Sequence, residues 1–361
     1  MKNSIEEILK IQPYSLSKEE KTKILTEYLL SLTLLHKEKC SEYASILDAS
    51  GFDANKVESY YDLPFLPVRL FKEYSLASVS KEEIAKTMTS SGTTGQQVSQ
   101  IYLDRETSIL QTKALTKLVS NYIGNKRMPM VILDTSAVVK NRDMFSARGA
   151  GIRGFSMFGR DVIYALNENM ELNYEEIKQF LIKHEGENIF LYGFTFMIWQ
   201  HFCMELKNKG LSLDLSKGIL IHGGGWKKLL GVNISSKQFK QELFNVCKIT
   251  RVYDYYGMVE QSGSIYIECE CGHLHASNLS DIIIRRTQDF SVANIGEIGL
   301  IEVVSILPHS YPGHVLLTED EGVILGEDDC PCGRMGKYFK INGRIANAEI
   351  RGCSDTYAAK F

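Results

Sequence analysis

The chain has 361 residues, of which 44% are hydrophobic and 24% charged, and its 41 basic and 44 acidic side chains leave a net charge of −3. That length gives room for two or three subdomains, and the balanced charge excludes the basic excess of a nucleic-acid binder. No run reaches the roughly 18 apolar residues of a membrane span; the most apolar stretch, Ile298 to Pro308, is broken by Glu302. The acidic start MKNSIEEILK lacks the basic head and apolar run of a secretory signal, so a cytoplasmic protein is expected. In a reducing compartment the 8 cysteines point to metal ligation or reactivity rather than to disulfides.

From residue 3 to about 50 apolar residues recur at helical spacing (Ile5, Ile8, Leu9; Leu25, Leu29, Leu32), predicting a helical N-terminal segment over 1–62. The prolines of Asp62-Leu63-Pro64-Phe65-Leu66-Pro67 favour an extended crossing into the main body of the chain. Apolar runs at Met130 to Leu133, Ile189 to Tyr192, Ile219 to Ile221 and Val252 to Tyr256 read as buried strands. Amphipathic helices are predicted over Tyr174 to Lys183, Met197 to Lys209 and Lys237 to Cys247. This alternation predicts an α/β core over 63–263. Short strands at Ser264 to Glu268, Asp281 to Arg285 and Gly299 to Ser305 predict a β-rich subdomain over 264–361.

Thr89-Ser90-Ser91-Gly92-Thr93-Thr94-Gly95 lies between a helix-like stretch, Lys81 to Lys86, and a strand-like one, Val98 to Leu103. Its glycines let backbone N–H groups turn toward a ligand and its hydroxyls add donors, which suits phosphate oxygens; the bland reading is a Ser/Thr-rich turn. It is not a Walker A loop, because no Gly-Lys-Ser/Thr comes after it. Gly149-Ala150-Gly151-Ile152-Arg153-Gly154 fits the G-x-G-x-x-G pattern, yet a polar segment precedes it where a dinucleotide site needs a strand.

With four later segments the Thr89–Gly95 loop resembles the adenylate-forming superfamily of acyl-CoA synthetases and ligases. Those segments are Ile221-His222-Gly223-Gly224-Gly225-Trp226, Asp254-Tyr255-Tyr256-Gly257-Met258-Val259-Glu260, Thr318-Glu319-Asp320 and Gly343-Arg344. Within it the chain is most similar to the LuxE-type acyl-protein synthetases, on Leu63 to Lys72, Tyr192 to Phe196, Gly224 to Lys227 and Arg351-Gly352-Cys353-Ser354. The resemblance implies the large-domain fold of adenylate-forming enzymes, and a chain ending at Phe361, soon after Arg344, is expected to lack their mobile C-terminal domain. It also implies ATP and Mg²⁺. Thr89 to Gly95 would hold phosphates, Gly223 to Gly225 would line the adenine pocket, and Glu260 would help hold the ion. An aromatic of Tyr255–Tyr256 before Gly257 would stack on adenine, and Asp320 would take the ribose hydroxyls. Glu319 stands where the family has glycine.

Without the mobile domain's lysine another cation is needed, with Lys227 the first candidate and Arg344 the second. A thiolate is a strong nucleophile toward an acyl-adenylate. The LuxE resemblance makes Cys353 the acyl acceptor, with a carboxylic and in particular a fatty acid as substrate and an acyl-CoA-reductase-like partner as the next carrier. The alternatives are an acyl-CoA ligase of the phenylacetate-CoA-ligase type and an inactive scaffold for a reductase. Gly193 to Trp199 supplies apolar side chains for an acyl channel, or simply core.

Cys269-Glu270-Cys271-Gly272 and Cys330-Pro331-Cys332-Gly333 form two C-x-C-G units. They can provide a structural tetrahedral Zn²⁺ site, for which Cys269, Cys271, His275, Cys330 and Cys332 compete for four places. Cys40, Cys203 and Cys247 fall in helical patterns and are expected to be buried packing residues.

Overall fold

The computed structural model describes residues 5–90, 98–140, 147–225 and 234–344. Packing divides them into two units. Of the described residues one comprises 5–90, 98–121 and 257–344, and the other 122–140, 147–225 and 234–256. The N-terminal helices share a core with the C-terminal strands.

In the 122–256 unit the four predicted strands form, and a fifth, Gly159–Leu166, joins them. All five are parallel, in the order Arg251–Tyr256, Gly218–Gly223, Ile189–Phe194, Met128–Thr135, Gly159–Leu166. Near-continuous apolar runs suit a parallel sheet covered on both faces. Tyr174–Lys183 is helical, as its spacing predicts, and Ser236–Cys247 starts one residue ahead of its predicted span. The predicted Met197 to Lys209 helix is wound as π over Ile198–Cys203 before it continues as α over Met204–Asn208. The core joins Val131, Leu191, Leu220 and Val252 of the sheet to Phe202, Cys203, Phe239, Leu243 and Cys247 of the helices. Cys203 and Cys247 are packing residues, their thiols raised to about 12 by burial.

The other unit is built on an antiparallel sheet, in the order Ser280–Arg285, Ile298–Ser305, Val315–Glu327, Lys337–Arg344, Leu274–His275, Tyr266–Glu268. Helix Lys18–Lys39 opens with a capping box, Ser17 and Glu20 each taking the other's backbone N–H. Its Leu25 and Leu29 are buried against Leu279, Ile283, Val304 and Ile306 of that sheet. Packing here encloses charge as well. Asp281, 1% exposed, accepts from Lys21 Nζ at 3.2 Å, from Lys337 Nζ at 2.8 Å and from the Tyr60 hydroxyl. Burial disfavours the Asp281 carboxylate, but the two ammonium groups outweigh it and hold the pKa at about 2. Among the described residues no helix is long and apolar enough to cross a membrane.

Candidate functional site

At the carboxyl end of the parallel sheet, where α/β folds place their ligands, the strand Gly218–Gly223 runs into Gly224 (φ +89°) and Gly225 (φ +70°). Two successive left-handed residues favour glycine and turn backbone N–H groups outward. Crowding adds a second reason. A Cβ on Gly223 would lie 2.5 Å from the Tyr255 ring, and one on Gly224 would lie 2.5 Å from the Phe194 ring.

Tyr255 is tied in place by its hydroxyl, 3.0 Å from that of Tyr192, and Tyr192 stacks on Phe155 with centroids 4.1 Å apart. A Cβ on Gly151 would come within 2.5 Å of the Tyr192 hydroxyl. The G-x-G-x-x-G segment thus lies inside a helix, Ala147–Ser156, where Gly151 lets the helix approach Tyr192 closely. Neighbouring residues of a strand face opposite ways. Tyr255 therefore belongs to this aromatic stack, and Tyr256 lies on the other face of the sheet.

In the other unit Thr89 ends a strand, Lys86–Thr89, that pairs antiparallel with Gln100–Leu103. Ser90 prolongs the pairing: its N–H donates to the Ser99 carbonyl at 3.2 Å, and its Oγ accepts from the Ser99 N–H at 2.9 Å. Thr89 and Ser90 thus lie on a paired strand, and the stretch before them is not helical: Lys81–Glu83 is a single 3₁₀ turn. Ser91, Gly92, Thr93, Thr94 and Gly95 lie outside the described residues, as do Lys227 and Cys353.

Gly257 leads to the 3₁₀ turn Val259–Gln261, in which Glu260 is 7% exposed and its carbonyl accepts from the Tyr311 hydroxyl at 2.9 Å. The Gln261 amide fastens the same turn, donating to the Gly313 carbonyl at 2.9 Å. Asp320 and Arg344 face each other across paired strands, with Arg344 Nε donating to Asp320 Oδ1 at 3.2 Å. Glu319 joins them, 3.8 Å from Arg344. The residue that departs from the family pattern thus shares the arginine with the aspartate.

The two C-x-C-G units fold alike. Gly272 and Gly333 take φ of +80° and +78°, and their N–H groups donate to the carbonyls of Cys269 and Cys330, both at 2.9 Å. Pairing of His275 with Tyr338 brings the two knuckles together. Ligand atoms of Cys269, His275, Cys330 and Cys332 all lie within 4.8 Å of one another. Cys271 is exposed and stands outside this group. The Cys269 and Cys330 sulfurs are 3.9 Å apart, and His275 Nε2 is 3.4 Å from the Cys332 sulfur. A disulfide needs about 2.05 Å. The edge of a tetrahedron with metal–sulfur bonds of about 2.3 Å is roughly 3.8 Å, so the donor set fits Zn²⁺. Burial pushes the Cys330 thiol up to about 12 and His275 down to about 4. Burial would also raise Cys332, but donation from Arg334 outweighs it and holds that thiol below its ordinary value.

Sequence reasoning passed over the polar groups buried among these elements. His222 is fully buried in the strand that leads into the glycines, and Arg148 is 3% exposed and doubly bonded to Asp134 at the end of Met128–Thr135. The available signal was His222 itself. A polar side chain at the end of Ile-Leu-Ile must find a buried partner.

A fold of this kind defines the class. The chain superposes on 2-hydroxyisobutyryl-CoA ligase, solved in an open conformation with 2-HIB-AMP and CoA, with a TM-score of 0.71 and 14% identity, covering 94% of this chain and 73% of that one. Its fold is therefore that of the adenylate-forming ligases. A long-chain-fatty-acid-CoA ligase from Archaeoglobus fulgidus superposes with a TM-score of 0.50 and 14% identity over 74% of this chain and 53% of that one. The sequence matches the family described as acyl-protein synthetase, LuxE, over residues 2–361, and the chain belongs to that family of ligases. Curated relatives named long-chain-fatty-acid–luciferin-component ligase come from Vibrio harveyi, 22% identical over 97% of this chain and 91% of that protein, and from Aliivibrio fischeri, 23% identical over 96% and 91%.

Proposed function

We propose that this ligase activates a fatty acid with ATP and passes the acyl group through Cys353 to a reductase partner. The observation that carries the reading is the family match over residues 2–361 on an adenylate-forming fold. The carboxylate oxygen attacks the α-phosphorus and pyrophosphate leaves. The Cys353 thiolate then attacks the acyl carbon, and AMP leaves with the bonding electron pair.

Both reactants of the first step are anions, so the site must offset charge and hold them in line. Thr89 to Gly95 and the Gly223–Gly225 turn supply backbone N–H donors in this reading, and Asp320 takes the ribose hydroxyls. Glu260 offers a carboxylate oxygen of the kind Mg²⁺ accepts, and the bound ion would neutralise phosphate charge. Lys227 and Arg344 are the cations proposed to act on the α-phosphate. Arg344 is held by Asp320 and Glu319, which aims it. Cys269, His275, Cys330 and Cys332 would hold Zn²⁺ with no open position, a structural role.

Two measurements test this reading. ATP–pyrophosphate exchange across a series of saturated fatty acids is expected with the intact protein and should fall at least ~100-fold in Glu260→Ala. Radiolabelled acid should leave a hydroxylamine-labile label on the protein that is lost in Cys353→Ala. A label that appears only on added CoA overturns the acyl-protein step, and absence of exchange with every acid overturns the activation step.

A further inference from the structure

The strand Ile189–Phe194 ends at Thr195, and the strand beside it, Gly218–Gly223, ends at the glycine turn. Between these two ends lies a buried polar contact. Thr195 Oγ1 is 3.0 Å from the Gly223 carbonyl oxygen and 2.9 Å from His222 Nδ1, and both Thr195 and His222 are fully buried. A carbonyl only accepts, so the single hydroxyl proton of Thr195 goes to Gly223. The hydroxyl oxygen then accepts from His222, which fixes that imidazole with its proton on Nδ1. Burial holds His222 down at about 3, so it is neutral in this role. The Asp254 carboxylate stands 3.6 Å from the same nitrogen. Ring packing adds a second tie. Phe194, the neighbour of Thr195, lies against Gly224 so closely that a Cβ there would sit 2.5 Å from its ring.

We infer that Thr195, oriented by His222, is a positioning residue for nucleotide binding. It holds the Gly223 peptide so that the left-handed residues Gly224 and Gly225 present their N–H groups to the ATP. The inference rests on the adenylation reading above. Two features favour this role over simple packing. The hydroxyl is bonded to the backbone of the turn rather than to its own helix. The glycines it restrains have φ values that no other side chain would enforce, so their geometry depends on what holds their flanks. Thr195 lies within the apolar segment Gly193 to Trp199, but its hydroxyl is turned to the glycine turn and His222.

The test compares Thr195→Val, Thr195→Ala and Thr195→Ser in ATP–pyrophosphate exchange, with the fatty acid that wild type turns over best, alongside equilibrium binding of MgATP. Both hydroxyl-free variants are expected to raise KM for ATP about tenfold, the equivalent of about 1.4 kcal/mol. Their kcat and their KM for the acid should stay within about twofold of wild type, and Thr195→Ser should restore KM for ATP. Thr195→Ala removes volume where Thr195→Val replaces the hydroxyl by a methyl, so agreement between them separates the hydrogen bond from packing. An unchanged KM for ATP in both, or equal losses in Thr195→Ser and Thr195→Val, overturns the inference alone. Wild-type protein that neither exchanges nor binds MgATP overturns the adenylation reading and this inference with it.

Discussion

Individual residues at the Cys/His cluster separate by a simple criterion, whether the donor atom reaches the common centre. Cys271 shares a C-x-C-G unit with Cys269 but turns outward, whereas Cys332, half-buried, sits 3.4 Å from His275. Purified Cys271→Ala is therefore expected to keep about one zinc ion per chain by elemental analysis, and Cys332→Ala to lose it. Equal metal content in the two variants would refute this assignment. The sequence makes the pair of knuckles legible because each carries its own glycine at the left-handed position. It cannot rank the five donors, because the deciding contact is a strand pairing, His275 against Tyr338. His222 was hidden for a related reason: its partner Thr195 is adjacent only through the register of two parallel strands.

Elements behave less independently than their periodicity suggests. Helix Lys18–Lys39 brings Lys21 to a carboxylate that Lys337 already occupies, so one Asp281 faces two ammonium groups. Burial lowers the Lys21 pKa, whereas Asp281 raises that of Lys337. Asp281→Asn leaves two buried cations without a counterion and is expected to cost about 3–5 kcal/mol in urea denaturation. Lys21→Met keeps the Lys337–Asp281 pair and the aliphatic volume, and should cost less than about 1.5 kcal/mol. The reverse order of costs would show that Lys21 is the main partner.

The strands and helices that sequence placed were those with long apolar runs or a strong one-sided stripe. The helix Arg105–Ile123 shows why others escape. Its threonines compete locally with helix formation, and only in the fold do Thr112 and Thr116 settle their hydroxyls on carbonyls four residues back, both at 2.8 Å.

For the whole molecule, buried histidines set the response to acid. His36 and His222 are held at about 3 by burial, and His314 is also driven well below its ordinary value. Each is neutral in both states above about pH 6.5, and below it only the unfolded chain takes up the proton. Stability contributed by these groups is therefore present at neutral pH and lost as pH falls from about 6.5 toward 3. His36 and His222 should together remove about 4 kcal/mol between pH 6.5 and 5, at 1.36 kcal/mol per unit each, and His314 acts in the same direction. Urea titrations at pH 7 and 5 measure this directly, and a change below about 1 kcal/mol would mean that these imidazoles protonate in place.

The shared core of the N-terminal helices and the C-terminal strands has a consequence for biosynthesis. Leu25 and Leu29 are made first, yet Leu279, Ile283 and Val304, against which they pack, are made about 250 residues later. At about 5–20 residues per second the wait is on the order of 10 to 60 s. Among the described residues the core cluster of the 122–256 stretch, Val131 to Val252, is complete once Tyr256 is made. On the ribosome the middle of this chain can therefore fold before its beginning, and the first helices must be kept from other apolar partners until their own arrive.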